Sequence, residues 1–156
     1  MFRISKRLDY GLQMMVALAS ETENRPLATA VLSERLNIPL PFSHQIGHVL
    51  MQAGLIKTLP GPRGGLRLSR PAGNITVLDV VEAVEGNIEL NPNPDNGNQV
   101  NQGVEGYFTP VWEDLQSKIR HYLAEITLEQ LLETGALQRK TLLNNKNIEQ
   151  NSEYLI

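Results

Sequence analysis

The sequence has 156 residues, of which 41% are hydrophobic, so it is long enough for one real core and a short additional element but not for two large domains. It contains no cysteine, which excludes disulfides, thiolate nucleophiles and thiolate-held zinc or iron–sulfur sites. No apolar run approaches the roughly 18 residues that span a bilayer, and no cleavage site follows the first apolar run. These features predict a cytoplasmic protein with no membrane partner.

The net charge of −3 conceals an uneven distribution along the chain. Residues 1–72 carry nine basic and four acidic side chains, a net charge of +5, whereas residues 73–156 carry five basic and thirteen acidic ones, a net charge of −8. A basic half beside an acidic half indicates a polyanion-binding face, for which double-stranded DNA is the candidate partner. Ordinary charge fluctuation along a chain is the alternative explanation.

Three amphipathic helices are predicted in the first third of the chain. Apolar residues recur at three- and four-residue intervals from residue 5 to 19, with Ser5 as the N-cap. A second helix ends at Asn37, a residue that tolerates the left-handed conformation. The third begins near Pro41 and continues to Gly54, so two short helices meet at a tight turn.

Beyond Gly54 the pattern changes from helical to alternating. Two short alternating runs, residues 55–59 and 66–70, flank a turn-rich stretch of proline and glycine, which indicates a β-hairpin. Helix, helix, turn, helix and hairpin in that order describe a winged helix-turn-helix. The predicted fold class is therefore mostly α with a small β-hairpin wing (α+β), followed by a long C-terminal dimerisation helix.

The second half predicts a short helix over residues 77–84, with Thr76 as its cap and Gly86 as its stop. Residues 87–106 lack periodicity and are predicted to form a loop, and a long helix follows from Thr109 or Pro110, with more helix to about residue 133. The resulting division is a DNA-binding domain, a loop, a dimerisation region and a polar tail, with the bounds 1–86, 87–107, 108–133 and 134–156. The long helix carries an apolar stripe that needs a partner surface and predicts a homodimer; the stripe consists of Trp112, Leu115, Ile119, Tyr122, Leu123 and Ile126.

The third helix is predicted to bury Phe42, Ile46, Val49, Leu50 and Ala53 and to expose Ser43, His44, Gly47 and His48. The exposed set is small, polar and free of acids, as a helix that enters the major groove requires. An ordinary solvated helix face is the alternative. The DNA contacts predicted for this helix, for the wing and for the start of the first helix are Arg3, Lys6, Arg7, Pro41, Phe42, Ser43, His44, Gln45, Gly47, His48, Arg63, Gly64, Gly65 and Arg67.

In the predicted wing, Arg63 and Arg67 supply positive charge, and the glycines allow backbone amides to approach a phosphate or a minor groove. A plain hairpin is the alternative. His44 and His48 also have the i, i+4 spacing of a metal pair, but no third ligand is evident, so no metal is predicted. No enzyme constellation is present, and His121 is interpreted as a partly buried or interface histidine.

Several short segments, taken in order, resemble the regulators typified by IscR, NsrR and CymR. They are Arg3–Ser5, Asp9–Leu12, Leu36–Pro39, Gln52–Ile56, Gly61–Leu68, Ile75–Gly86, Trp112–Leu115 and Ile126–Leu128. Each segment alone is weak evidence, whereas their order and spacing over residues 1–133 make a strong match. The resemblance implies a homodimer whose long C-terminal helices cross and whose two recognition helices bind a pseudo-palindrome.

Many members of that family hold an iron–sulfur cluster through three cysteines in the loop before the long helix, and the corresponding loop here has none. Asp9 matches an acidic ligand of some relatives, but a carboxylate without thiolates cannot hold a cluster, so its expected role is structural. Pro60 stands where relatives often carry an arginine, so that base contact is not carried over. No cofactor is predicted.

The sequence therefore predicts a dimeric, sequence-specific DNA-binding regulator that is not an enzyme. Its control is expected to come from an unidentified small-molecule effector, a partner protein or its own abundance. The alternative is a winged-helix protein-interaction module that has lost specific DNA binding. The positive charge of residues 1–72 favours the first interpretation.

Overall fold

The computed structural model describes residues 3–90 and 104–138. Within these ranges the chain forms six α-helices and one two-stranded antiparallel sheet, which confirms the predicted fold class. The elements are α1 (Lys6–Ala19), α2 (Thr29–Leu36), α3 (Leu40–Gln52), β1 (Ile56–Leu59), β2 (Gly65–Leu68), α4 (Val77–Glu85), α5 (Thr109–Glu125) and α6 (128–138). None of the described helices has the length and apolar character needed to cross a membrane.

Helix α1 is the centre of the core. Ser5 caps it, since its hydroxyl oxygen accepts a hydrogen bond from the Leu8 amide at 3.0 Å. Met14, Met15 and Leu18 are at most 1% exposed and pack among the other helices and the sheet. The amphipathic pattern of the sequence therefore becomes the central helix of a single core.

The turn between α2 and α3 has the predicted conformation. Asn37 adopts the left-handed region, with φ of 54° and ψ of 42°, and its amide donates to the Glu34 carbonyl at 3.2 Å. The Ser33 hydroxyl donates to the carbonyl of Ile38 at 2.6 Å, and Pro41 lies in the first turn of α3. These local contacts form the tight turn of the helix-turn-helix.

The wing is the hairpin of β1 and β2, in which Ile56 pairs with Leu68 and Lys57 with Arg67. A further bridge joins the wing to the helical domain, because the amides of Leu27 and Leu66 each donate to the other's carbonyl at 2.9 and 2.7 Å. Burial of Leu66 and Leu68 on the inner side of β2 completes the contact with the core.

Helix α4 begins and ends at the residues predicted to cap and to terminate it. Thr76 and Asp79 form a capping box, and Gly86 ends the helix with φ of 87°. The helix packs closely on α1, since a Cβ atom on Gly11 would lie 3.0 Å from the Val84 side chain. Its buried face consists of Val77, Val80, Val81 and Val84.

The C-terminal half is attached to the domain through residues 126–128. The Val77 amide donates to the Ile126 carbonyl at 2.8 Å, and the Leu128 amide donates to the Ile75 carbonyl at 3.0 Å. Leu128 is fully buried, and an ion pair between Arg120 and Glu82 makes a second link between α5 and α4. The C-terminal end of α5 is therefore held against the N-terminal domain by these contacts.

One helix of the C-terminal half is longer than predicted, and parts of the predicted loop and tail lie outside the described residues. Helix α6 continues to residue 138, where the description ends, so it is longer than the segment predicted to end near 133. The end of the predicted loop forms a 3-10 turn at Val104–Tyr107. Most of that loop, residues 91–103, and the tail from 139 onward lie outside the described residues.

Candidate nucleic-acid interface

Helix α3 buries a different stripe from the one predicted. The buried residues are Ser43, Ile46, Gly47 and Leu50; Ser43 lies four residues before Gly47, and Ile46 four residues before Leu50, so they share one face, and the burial of Ile46 and Leu50 is as predicted. The prediction that Ser43 and Gly47 lie on the exposed face is therefore wrong.

Ser43 and Gly47 are buried because both face neighbouring parts of the chain. The Ser43 hydroxyl lies 3.5 Å from the Pro39 carbonyl one turn earlier, so the group is not left without a polar neighbour. A Cβ atom on Gly47 would lie 3.4 Å from Leu66 of the wing and 4.0 Å from Met14 of α1. Gly47 thus faces Leu66 and Met14 and does not lie on the surface predicted to contact DNA.

The exposed stripe of α3 consists of Pro41, His44, Gln45 and His48, again at three- and four-residue spacing. The whole helix contains no acidic residue, no lysine and no arginine. Its outer face therefore offers imidazole and amide groups that can donate to or accept from base edges, without a carboxylate to repel phosphates. This is the surface chemistry that a major-groove helix requires.

Phe42, predicted to be buried, is 49% exposed. Its ring packs edge-on against the ring of Tyr10 in α1, with the centroids 6.4 Å apart and the planes at 67°. Phe42 stands at the border of the buried stripe because the helix turns Ser43 inward. Val49 and Ala53, also predicted to be buried, are half-buried and exposed, respectively.

The wing carries three cations: Lys57 and Arg63 are exposed, whereas Arg67 is half-buried and its Nε atom is buried without a hydrogen-bond partner in the described part of the chain. The register places Lys57 directly opposite Arg67, and Arg63 is exposed in the turn between the strands. Like charges opposite each other in a hairpin destabilise it, so this pair is explained best by an anionic partner. Sequence reasoning missed Lys57, although the alternation of residues 55–59 placed it on the outer face.

Gly64 and Gly65 are required by the backbone geometry of the wing, a role that the sequence analysis did not predict. The Gly64 amide donates to the Gly61 carbonyl at 2.9 Å, so it is already used within the turn. Side chains are excluded at both positions, since a Cβ atom on Gly64 would lie 2.0 Å from the Leu59 carbonyl oxygen and one on Gly65 would lie 2.3 Å from the Leu27 carbonyl. The expectation of an amide free to approach phosphate is therefore wrong for Gly64.

Asn24 anchors the return strand of the wing to the loop after α1. Its side-chain amide donates to the Leu68 carbonyl at 3.0 Å, and its side-chain oxygen accepts from the Leu68 amide at 3.1 Å. Glu23 and Asn24 both adopt positive φ, at 57° and 52°. The sequence analysis assigned no element to these two residues and did not detect this contact.

The start of α1 presents further positive charge. Arg3, Lys6 and Arg7 are all exposed, as required for the phosphate contacts predicted for them. Asp9, in the first turn of the helix, accepts a hydrogen bond from the Gln13 side chain at 2.9 Å. This contact fits the structural role expected of Asp9.

Helix α5 buries none of its residues within the chain. Trp112, Leu115 and Ile119 are half-buried, and Tyr122 is 65% exposed. Leu123 and Ile126, the last two residues of the predicted stripe, pack against the core of their own chain, so they are not free to form a dimer interface in the same way. The surface that still lacks a partner is therefore the earlier part of α5, where Phe108 and Val111 are also exposed.

The histidines do not form a metal centre in the part of the chain that the structure describes. No group of three or more potential ligands occurs among those residues. His121, interpreted from the sequence as partly buried or interfacial, has a side chain that is 77% exposed and lies 3.1 Å from Glu125. Its burial within the chain is therefore not found.

Comparison with known proteins agrees with this architecture. The family model described as "Rrf2: Iron-dependent Transcriptional regulator" matches residues 4–134. The chain belongs to the Rrf2 family. Membership makes it a DNA-binding transcriptional regulator with a winged helix-turn-helix, and it confirms the resemblance seen in the sequence.

Individual Rrf2-type relatives match along most of their length. The chain is 31% identical to IscR of Xenorhabdus nematophila over 131 residues, which cover 83% of this chain and 79% of that protein. The solved structure of T. potens IscR is 28% identical, with a TM-score of 0.71 and coverage of 86% and 88%. That of CymR, the global cysteine regulator of B. subtilis, is 25% identical, with a TM-score of 0.70 and coverage of 86% and 98%.

Proposed function

We propose that this regulator binds a pseudo-palindromic operator as a homodimer, with the exposed face of α3 in the major groove and the wing on neighbouring phosphates. The observation that supports the proposal most directly is a polar helix face without aspartate, glutamate, lysine or arginine, followed by a hairpin that bears Lys57, Arg63 and Arg67. Helix-turn-helix proteins place the first residues of the second helix on base edges, and cations on phosphates add affinity. Such a protein acts in the cytoplasm.

The dimer is supported by the unpartnered part of α5. Exposed or half-buried apolar residues recur along one side of this helix at three- and four-residue spacing: Phe108, Val111, Trp112, Leu115, Ile119 and Tyr122. A contiguous apolar stripe of this kind indicates a protein interface. In a two-fold dimer, symmetric recognition helices face half-sites about one helical turn apart.

We also propose that the regulator works without an iron–sulfur cluster, although its family is described as iron-dependent. Clusters are held chiefly by thiolates, and this sequence has no cysteine. The remaining nitrogen and oxygen donors are not grouped among the described residues. Control would then act through an effector, a partner protein or abundance.

Specific binding is tested by selecting bound duplexes from a random pool and measuring affinity against salt. We expect a symmetric preferred sequence and an affinity that falls steeply with salt. Arg63→Ala should lower affinity for every sequence and reduce the salt slope by about one, because one phosphate contact is lost. Lys118→Ala, the same charge change on α5, should leave the slope unchanged. Equal, weak retention of all duplexes would instead favour a protein-interaction module.

The dimer interface is tested by measuring molar mass in solution. Ile119→Asp places a carboxylate on the apolar stripe and is expected to yield a monomer or an unfolded chain. Ser117→Asp adds the same charge at an exposed position of α5 and should remain dimeric. A folded, dimeric Ile119→Asp protein would place the interface elsewhere.

The proposal that no cluster is present is tested by purification without oxygen after expression with added iron and sulfide. We expect a colourless protein whose operator affinity is the same before and after chelation. Stoichiometric iron and acid-labile sulfide, together with an affinity that changes on chelation, would contradict it.

A further inference from the structure

The exposed chemistry of α3 is suited to A·T base pairs. Arginine or lysine bound to guanine is the commonest specific base contact, and α3 contains neither residue. What the first two turns present instead is the Gln45 amide, the His44 imidazole and three exposed apolar side chains, those of Leu40, Pro41 and Phe42. Amide side chains pair with adenine, and apolar side chains contact the methyl group that only thymine carries in the major groove.

Phe42 is placed where such a contact would occur. It is the third residue of α3, and helix-turn-helix proteins direct this end of the second helix toward base edges. A single exposed apolar side chain is common on protein surfaces and needs no partner. This ring differs because its edge-on contact with Tyr10, at a centroid distance of 6.4 Å, restrains it while about half of its surface stays open.

We propose that Phe42 is a specificity-determining residue that recognises thymine through its C5-methyl group, and that Tyr10 is the positioning residue that holds the ring for this contact. The inference rests on the proposed function, because it requires α3 to lie in the major groove. It adds the identity of a base to the proposed function, and it explains an exposed aromatic ring on a helix that has no acidic residue, lysine or arginine. Each half-site of the operator then contains at least one A·T pair at the position that faces the start of α3.

The test uses the full chain and the operator obtained by selection. Each thymine of a half-site is replaced singly by uracil, which retains the base-pairing groups and removes only the methyl group. Wild-type protein is expected to lose about fourfold in affinity at one thymine, the effect of one methyl-sized apolar contact. Phe42→Ala should bind the thymine and uracil operators equally. Met51→Ala, which removes another partly exposed apolar side chain from the same helix, should discriminate like wild type.

The role of Tyr10 is tested by the ratio of the affinities for the thymine and uracil operators. Tyr10→Leu keeps apolar bulk but removes the aromatic edge, so the preference for thymine over uracil should fall while the fold, followed by circular dichroism, is retained. An unchanged preference in Tyr10→Leu would overturn the positioning role.

The outcomes separate this inference from the proposed function. Specific, symmetric binding that is unaffected by uracil at every thymine would overturn the role of Phe42 and leave the regulator function intact. An operator without A·T pairs, or loss of the dimer in Phe42→Ala, would also overturn it. Failure to select any preferred sequence would contradict both. The uracil scan of the wild-type protein needs no variant, so it can overturn the role of Phe42 even if Phe42→Ala does not fold.

Discussion

Replacement of Asn24 by alanine is expected to loosen the wing, because this side chain makes two hydrogen bonds to the backbone of Leu68 at 3.0 and 3.1 Å. Each such bond contributes about 0.5–1.5 kcal/mol net, so the pair contributes about 1–3 kcal/mol to the free energy of unfolding. Asn24 also has φ of 52°, a left-handed conformation that costs alanine about 1–2 kcal/mol. The expected loss is therefore about 2–5 kcal/mol in all.

Asn24→Gly is the matched control, since it removes the same two hydrogen bonds but adopts positive φ freely. It should lose mainly the hydrogen-bond part, about 1–3 kcal/mol, so the difference between the two variants measures the backbone strain less the greater entropy of glycine in the unfolded chain. Urea unfolding can be followed through Trp112, the only tryptophan of the sequence. Protein concentration must be held constant, because the stability of a dimer depends on it.

DNA binding by the two Asn24 variants tests whether the position of the wing contributes to affinity in addition to its charge. Both Asn24 variants keep Lys57, Arg63 and Arg67, so affinity for the selected operator should fall as the wing loosens. An alanine variant whose unfolding free energy lies within about 0.5 kcal/mol of wild type, the usual range of an ordinary surface change, would refute the reasoning. A glycine variant less stable than the alanine one would refute the assignment of strain.

Three further changes test other parts of the structure. Leu128→Ala should cost about 2–5 kcal/mol in urea unfolding because a fully buried side chain is removed, whereas Val31→Ala, at a 45% exposed position, should cost less than about 1 kcal/mol. Gly65→Ala should destabilise the protein far more than Gly54→Ala, because an added Cβ atom meets the Leu27 carbonyl at 2.3 Å in the first case and nothing within 4 Å in the second; equal losses would contradict the close approach of Leu27 to Gly65. Lys57→Gln should reduce the salt slope of operator binding by about one, and an unchanged slope would exclude it from the phosphate contacts.

Parts of the candidate interface could be predicted from the sequence because their determinants are local. Arg63 lies in a turn rich in proline and glycine, and turns of this composition are exposed whatever the rest of the chain does. His44, Gln45 and His48 are polar residues of an amphipathic helix and are exposed as expected. The assignment of Ser43 failed because polarity was taken as evidence of exposure, whereas a small hydroxyl near a carbonyl one turn earlier can be buried.

What the sequence by itself determined is the order of the elements and the places where they begin and end. The helix ends depend on hydrogen bonds or backbone conformations within a few residues of the capping residue, as at Ser5, Asn37, Thr76 and Gly86. Their roles can therefore be predicted without knowledge of the tertiary structure. The same holds for the alternation that produced the wing.

Only the tertiary structure decided which face of each element is used. Ser43 and Gly47 turn inward because the neighbouring helix and the wing approach α3 on that side, and Lys57 faces Arg67 because the register of the hairpin brings them together. Leu128 completes a core built mainly from residues far earlier in the chain. Such contacts join residues that are distant in sequence, so no local pattern encodes them, and they exist only once the chain has closed on itself.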